Sequence, residues 1–398
     1  MVPGPRCWLA LLALAGLAAC TSGSGDGESS APPPATASLS AAAALGEKIF
    51  DDPSLSASGR VACATCHAGD HAFADGLVVP MGGSGVDVPG FRNAPSLKYL
   101  TQNSAFFFDD EGTPTGGFNR DGRADSLMEQ ARRPFLAAHE MANASAADVV
   151  DQLRRAAYAA EFRAAFGEQI FSTPDAAFER ALFALQKYQQ EDLADFAPYT
   201  SKYDAFLAGR AQLSDAELRG LALFNNPQKG NCAACHPSAR GANGAPPLFT
   251  DFTYDNLGVP RNADIPANDD AAYLDLGLCG PDRIDIADMR ELCGAFKVPT
   301  LRNVAVSAPY FHNGKFATLL EVVRFYVRRD TNPDEWYPLD PATGLPRKFD
   351  DLPPEFAANV NTTEPPYDRS PGDLPALSEP EIQDVVAFLQ TLTDGFTQ

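Results

Sequence analysis

An all-α chain of two similar halves is the architecture this sequence predicts. Three observations carry it: a helix, a glycine-containing turn and a CxxCH string occur twice in that order, strand signals are sparse, and a capped amphipathic helix lies near the C-terminus. The first copy runs from the alanine-rich helix of residues 39–50, with apolar Leu45, Ile49 and Phe50, to Cys63-Ala-Thr-Cys66-His67. The second runs from residues 213–224, opened by the capping box Ser214-x-x-Glu217, to Cys232-Ala-Ala-Cys235-His236. Between them Ala197-Pro198-Tyr199 interrupts helical periodicity, which divides the chain into residues 39–205 and 206–398. Ser145-x-x-Asp148 announces a further helix, and Thr318 caps another whose Leu319, Val322, Val323 and Tyr326 share one face. Ser378-x-x-Glu381 opens the last helix, whose apolar face closes the second half. The proline-rich stretch 333–375 reads as an ordered loop, because Trp336, Tyr337, Phe349 and Phe356 argue against disorder.

The chain has 398 residues with a formal net charge of −21, 45% hydrophobic and 21% charged, which is an ordinary globular composition. Such a surface repels a phosphate backbone, so nucleic acid is excluded as a natural partner. A basic protein partner steered by complementary charge fits, as does acidity that serves solubility alone.

Residues 1–19 have the form of a secretory signal: Arg6, then a short apolar run from Trp8, then small residues at Ala18 and Ala19. The run is too short to span a bilayer, and no later run reaches the ~18 apolar residues a span needs. Leu17-Ala18-Ala19-Cys20 resembles a bacterial lipobox, which makes residues 20–38 a lipidated flexible tether rich in Ser, Gly, Pro and Ala. Thr21 after the cysteine resembles outer-membrane sorting, so the expected location is the periplasm, on an outer-membrane lipoprotein. Cleavage near Ala19 with release into the periplasm is the alternative.

Eight cysteines are present, and Cys7 and Cys20 belong to the leader. Four of the other six form the two CxxCH strings, the attachment signature of c-type haem. Two thiols at this spacing each add to one haem vinyl group, and the following imidazole becomes the proximal iron ligand. Cys63, Cys66 and His67 therefore define one covalent haem, and Cys232, Cys235 and His236 a second. Zinc needs a closed set of four ligands, for which a His directly after each CxxC is wrongly spaced. Cys279 and Cys293 flank a polar loop, and a disulfide closing those 15 residues contributes roughly 3 kcal/mol. His71 lies on the same side of its haem as His67, while His139, His312, Met81, Met128, Met141 and Met289 read as packing or surface residues.

The motifs Leu45-Gly-x-x-Ile-Phe50, Phe73-Ala-Asp-Gly76, Arg92-Asn-Ala-Pro95, Asp121-Gly-Arg123, Ser126-Leu-x-x-Gln-Ala131, Glu140-Met141, Phe296–Asn303 and Pro309–Gly314 accompany both CxxCH strings. Together they resemble the bacterial di-haem cytochrome c peroxidase and MauG-type family over residues 39–395. The resemblance implies two all-α cytochrome c-like domains with haems near their interface, the N-terminal one peroxidatic and the C-terminal one transferring electrons. It places Arg92 and Arg302 at the cofactors, and Gln130, Glu140 and Pro134 in the distal pocket of the first haem. A carboxylate above ferric iron can take a proton from hydrogen peroxide and return it to the departing oxygen, which is worth about 10²–10⁴ in rate. The implied electron donor is a small cytochrome c or cupredoxin, and membrane contact is through the lipid anchor alone.

Three positions depart from the peroxidase pattern. Gly85 stands where many members carry a distal histidine, so the first iron is expected to be five-coordinate or water-bound. Tyr326 aligns with a methionine ligand of the second haem; a phenolate there, as in MauG-type members, lowers the potential, while a core tyrosine is the plainer alternative. Arg120 replaces the tryptophan between the haems, which leaves the electron route open. The resemblance also implies a calcium ion held by Asn93, Ser307 and Pro309, although Asn93 could equally serve a turn. The leading expectation is a di-haem peroxidase; a MauG-type oxidase of a protein or organic substrate and a plain electron-transfer cytochrome are its rivals.

Overall fold

Helices begin where the caps place them. In the computed structural model, which describes residues 38–397, α1 (Ala41–Phe50) starts at Ser40, whose hydroxyl accepts the Ala43 N–H at 3.2 Å. The single turn α2 (Cys63–Cys66) and then α3 (Leu127–Leu136), α4 (Ala146–Leu153) and α5 (Ala159–Phe166) follow. The long α6 (Pro174–Glu191) leads to the short α7 (Leu193–Phe196) and α8 (Lys202–Leu207). Next come α9 (Asp215–Asn225), α10 (Leu319–Arg328) and α11 (Glu379–Gln390). Ser214 and Glu217 cap α9 reciprocally, Thr318 and Glu321 do so at α10, and Ser145 caps α4. The expected leader 1–19 and the tether with Cys20 lie outside the described residues, apart from Ser38. Among the described residues no helix is long and apolar enough to cross a membrane.

Helix content is moderate, and the all-α expectation needs correcting in one respect. Three two-stranded antiparallel ladders pin the long loops: β1 (Met81–Gly82) with β2 (Val88–Pro89), β3 (Phe107–Phe108) with β4 (Pro114–Thr115), and β5 (Tyr254–Asp255) with β6 (Phe296–Lys297). Long loops carry backbone polar groups that must be paired when covered, and these ladders pair some of them.

The apolar residues collect into two main cores. One draws on residues from Leu45 to Phe196, chiefly along α1 and α6, and the other on residues from Tyr203 to Leu392, chiefly α9, α10 and α11. The 205/206 cut falls inside α8, and Tyr203 already packs in the second core. Each half is built on a close helix crossing. A Cβ on Gly46 would lie 2.0 Å from the Ala184 carbonyl oxygen of α6, and one on Gly220 would lie 1.9 Å from that of Asp384 in α11. Only glycine lets these backbones approach so closely. Phe50 and Phe224 stand four residues further along, each buried in its own core.

Loops complete the second half. Tyr337 and Phe356 of the stretch 333–375 are buried, and the Tyr337 hydroxyl donates to the Gly258 carbonyl at 2.6 Å. Cys279 and Cys293 form a disulfide with Cα atoms 5.0 Å apart. The halves are latched near the C-terminus, where the Tyr99 hydroxyl donates to the Asp394 carboxylate at 2.8 Å and Asn303 Nδ2 donates to the same group at 2.6 Å.

Candidate functional site

The two CxxCH histidines are held alike. His67 Nδ1 lies 2.8 Å from the Phe73 carbonyl oxygen and His236 Nδ1 lies 2.7 Å from that of Phe249. Both phenylalanines adopt the left-handed backbone region, with φ of 59° and 55°, which turns their carbonyls back toward the imidazoles. The loops carrying them are tied down in parallel ways: Ser96 Oγ donates to the Ala72 carbonyl at 2.5 Å, and Thr300 Oγ1 donates to the Leu248 carbonyl at 2.6 Å. An Nδ1–H engaged in this way fixes the tautomer and leaves the Nε2 lone pair for a metal. Burial pushes both imidazoles below their ordinary pKa, which keeps that lone pair available.

Each histidine opens onto a cavity. The N-terminal one, about 810 Å³ counting its mouth, contains Cys66 and His67, and the C-terminal one, about 1620 Å³, contains Cys232, Cys235 and His236. All four CxxCH thiols are free, and burial pushes each of them up to about 12. Zinc would require thiolates, so these buried thiols suit covalent attachment of a haem better.

The distal wall of the N-terminal cavity comes from α3 and the turn after it. Gln130 and Pro134 line it from the helix, and His139 and Glu140 from the turn. The Glu140 carboxylate is 3.5 Å from His139 Nε2, and its side chain is 28% exposed. Its backbone is clamped by the β1–β2 hairpin: the Gly83 N–H donates to the Glu140 carbonyl at 2.8 Å, and a Cβ on Gly82 would lie 2.3 Å from the His139 carbonyl oxygen. Gly85 sits in the loop of that hairpin, where it offers no side chain to a metal. His139, read as a packing residue, lies instead in the cavity with its ring against Phe91, and its place beside Glu140 was the one available signal.

The C-terminal cavity is mostly apolar. Tyr326 lines it from α10, with Tyr367 beside it at a ring separation of 6.0 Å. Burial raises the pKa of both phenols, so in the protein alone they are neutral. No methionine lines either cavity. His312, also read as a packing residue, stacks on Phe296 at 3.7 Å and lines this cavity, with its buried Nε2 lacking a partner. Burial pushes that imidazole down to about 3. Tyr367 lies in the proline-rich stretch, where no sequence pattern marked it.

Haem fits both sites. The paired thiols, the oriented imidazoles and the orphaned His312 Nε2 all suit a bound porphyrin. One expectation about the arginines needs correction. Arg302 does not line the cavity; its guanidinium is buried in a double hydrogen bond to Asp204, at 2.8 and 2.9 Å, and lies over the rings of Tyr99 and Tyr199. Arg92 does line the N-terminal cavity, with three of its donors on Asp275 and Asp121.

The calcium set does not fit either. The Asn93 side-chain and backbone oxygens both accept hydrogen bonds from the Arg120 guanidinium, at 2.5 and 3.1 Å, and Asn93 Nδ2 donates to the Leu77 carbonyl. A dication bound at Asn93 would lie against a fixed positive charge. Ser307 and Pro309 line neither cavity.

Residues 40–212 match the model of the family described as di-haem cytochrome c peroxidase. The chain is 37% identical to the methylamine utilization protein MauG of Paracoccus denitrificans over 361 residues, covering 88% of each. It is 29% identical to the cytochrome c551 peroxidase of Nitrosomonas europaea, covering 74% of this chain and 76% of that one. Among solved structures it superposes on the diheme peroxidase BthA of Burkholderia thailandensis with a TM-score of 0.81 and 39% identity, covering 91% of this chain and 88% of that one. A variant of BthA in which a tyrosine is replaced by methionine superposes with a TM-score of 0.80.

Proposed function

This chain belongs to the di-haem cytochrome c peroxidase family and is a di-haem oxidoreductase, and from that premise we propose that it reduces hydrogen peroxide at its N-terminal cavity. The observation that carries this reading is the asymmetry of the cavities: an acid, Glu140, stands with Gln130 on the wall of one, and a tyrosine, Tyr326, on the wall of the other. When bound, the two haems supply the redox chemistry, with two electrons and two protons converting one peroxide into two waters. Cys63, Cys66 and His67 would hold the first haem, and Cys232, Cys235 and His236 would hold the second.

Glu140 accepts a proton from the near oxygen of peroxide and delivers it to the departing oxygen. Gln130 supplies an amide that orients the substrate, and Pro134, whose missing N–H leaves the Gln130 carbonyl without its helical partner, shapes the wall between them. Tyr326 would be the ligand offered to the second iron, and a small cytochrome c or cupredoxin would be the electron donor to this half. The charge of −21 favours a donor with a basic face. Cys20 anchors the chain by lipid in the periplasm, on the outer membrane.

Stopped-flow spectroscopy with peroxide added to the ferric and half-reduced protein tests this reading. The expected result is a rapid change confined first to a high-spin haem, together with catalytic turnover when donor is present. A first haem carrying two imidazole ligands in every redox state, with no response to peroxide, would overturn it. A second reading, a MauG-type oxidase acting on a protein or organic substrate, is favoured by Tyr326 and the absence of methionine from both cavities. Oxidation of an added substrate without an electron donor would select that reading.

A further inference from the structure

Arg120 is the one residue that lines both cavities. Its guanidinium holds the side-chain and backbone oxygens of Asn93, and its own carbonyl accepts the Lys297 N–H at 2.8 Å, which ties it to β6 of the second half. The nearby arginines are all ion-paired: Arg92 with Asp121 and Asp275, Arg123 with Asp121 and Asp282, and Arg133 with Asp282. Arg120 contacts only neutral oxygens and has no carboxylate within ion-pair distance among the described residues. Burial and the neighbouring Arg92 pull it down to about 10, so it is charged at neutral pH. A half-buried guanidinium with no counter-charge is costly unless an anion completes it. Haem brings such anions as its propionate carboxylates, which match the planar guanidinium fork.

We propose that Arg120 is the built-in cation of the wall between the cavities, replacing the calcium ion that the resemblance implies, and that its open charge receives a propionate of the bound haems. It is thus a positioning residue that also sets the local charge felt by both irons. This rests on the haem reading above but not on the choice of substrate.

The test uses the holoprotein, with two haems per chain verified by mass. Calcium is measured by plasma mass spectrometry after desalting, and both haem potentials are titrated spectroscopically before and after treatment with EGTA. The expected result is substoichiometric calcium and spectra and potentials indifferent to EGTA. Arg120→Gln is expected to lower both potentials, because a positive charge that disfavours ferric iron is gone, and Arg120→Lys to recover most of the shift. About one EGTA-removable calcium per chain, with a spectral change on removal, overturns the proposal. So does an Arg120→Gln holoprotein with unaltered potentials. Should the Gln variant fail to fold, the calcium measurement on the wild type and the Lys variant's potentials still decide. Wild-type holoprotein that does not turn over peroxide, while the Arg120 variants shift the potentials as expected, would instead count against the peroxidase reading alone.

Discussion

His67 and His236 are secured by the same device, a carbonyl from a left-handed phenylalanine, yet the walls around them have little in common. The N-terminal wall is the more polar of the two and carries Glu140 on a turn clamped by a hairpin, whereas the C-terminal wall is mostly apolar and carries Tyr326 on a regular helix. The two halves share the grip on the imidazole and the close glycine crossings. What differs is whatever meets the opposite side of the plane each histidine defines. One scaffold can therefore present two chemically different walls by changing a handful of side chains on loops and one helix face.

The sharpest way to break this comparison is Glu140→Gln, which keeps the shape and removes the acid. Peroxide turnover should fall by about 10²–10⁴ while the spectrum of the second haem stays unchanged. Equal loss from a conservative change at Tyr326, with Glu140→Gln silent, would reverse the assignment of the two cavities.

Asp204→Ala comes next and tests the second half alone. It strands the buried Arg302 guanidinium and should cost about 3–5 kcal/mol in a denaturant melt. Burial alone would raise the Asp204 pKa, but the hydrogen bonds and charge of Arg302 bring it below the ordinary 3.8. Its stabilisation is thus fully present above the unfolded value and is lost as pH falls through the lower folded one. The gap between wild type and variant in acid melts should therefore be full above pH 3.8 and should close only as pH falls through the lower folded value.

Gly82→Ala has the smallest effect and sharpens the first half. Its Cβ would press on the His139 carbonyl at 2.3 Å and should cost about 1–3 kcal/mol. A larger fractional loss of turnover than of thermal stability would show that the hairpin positions Glu140 as well as packing against it.

Much of this was legible because it depends on local chemistry. Ser145, Ser214 and Thr318 announced their helices, since a cap is satisfied within four residues. The CxxCH strings marked both cavities for the same reason. Arg302 misled because its motif neighbours are conspicuous while its partner, Asp204, lies 98 residues away. His139 and Tyr367 were missed because their importance arises from where loops return, which no short spacing records. Asn93 was read as a calcium ligand because the residue that occupies it, Arg120, reaches it only through the fold.

The Tyr99 to Asp394 latch carries a consequence for the order in which the molecule is completed. Its two ends are 295 positions apart, so a chain emerging N-terminus first presents Cys63 and Cys66 long before the latch can engage. Asp282, which lines the N-terminal cavity, and Asp275, which anchors Arg92, likewise come from the later half of the chain. The first half's cavity therefore has its full lining only once residues of the second half have joined it.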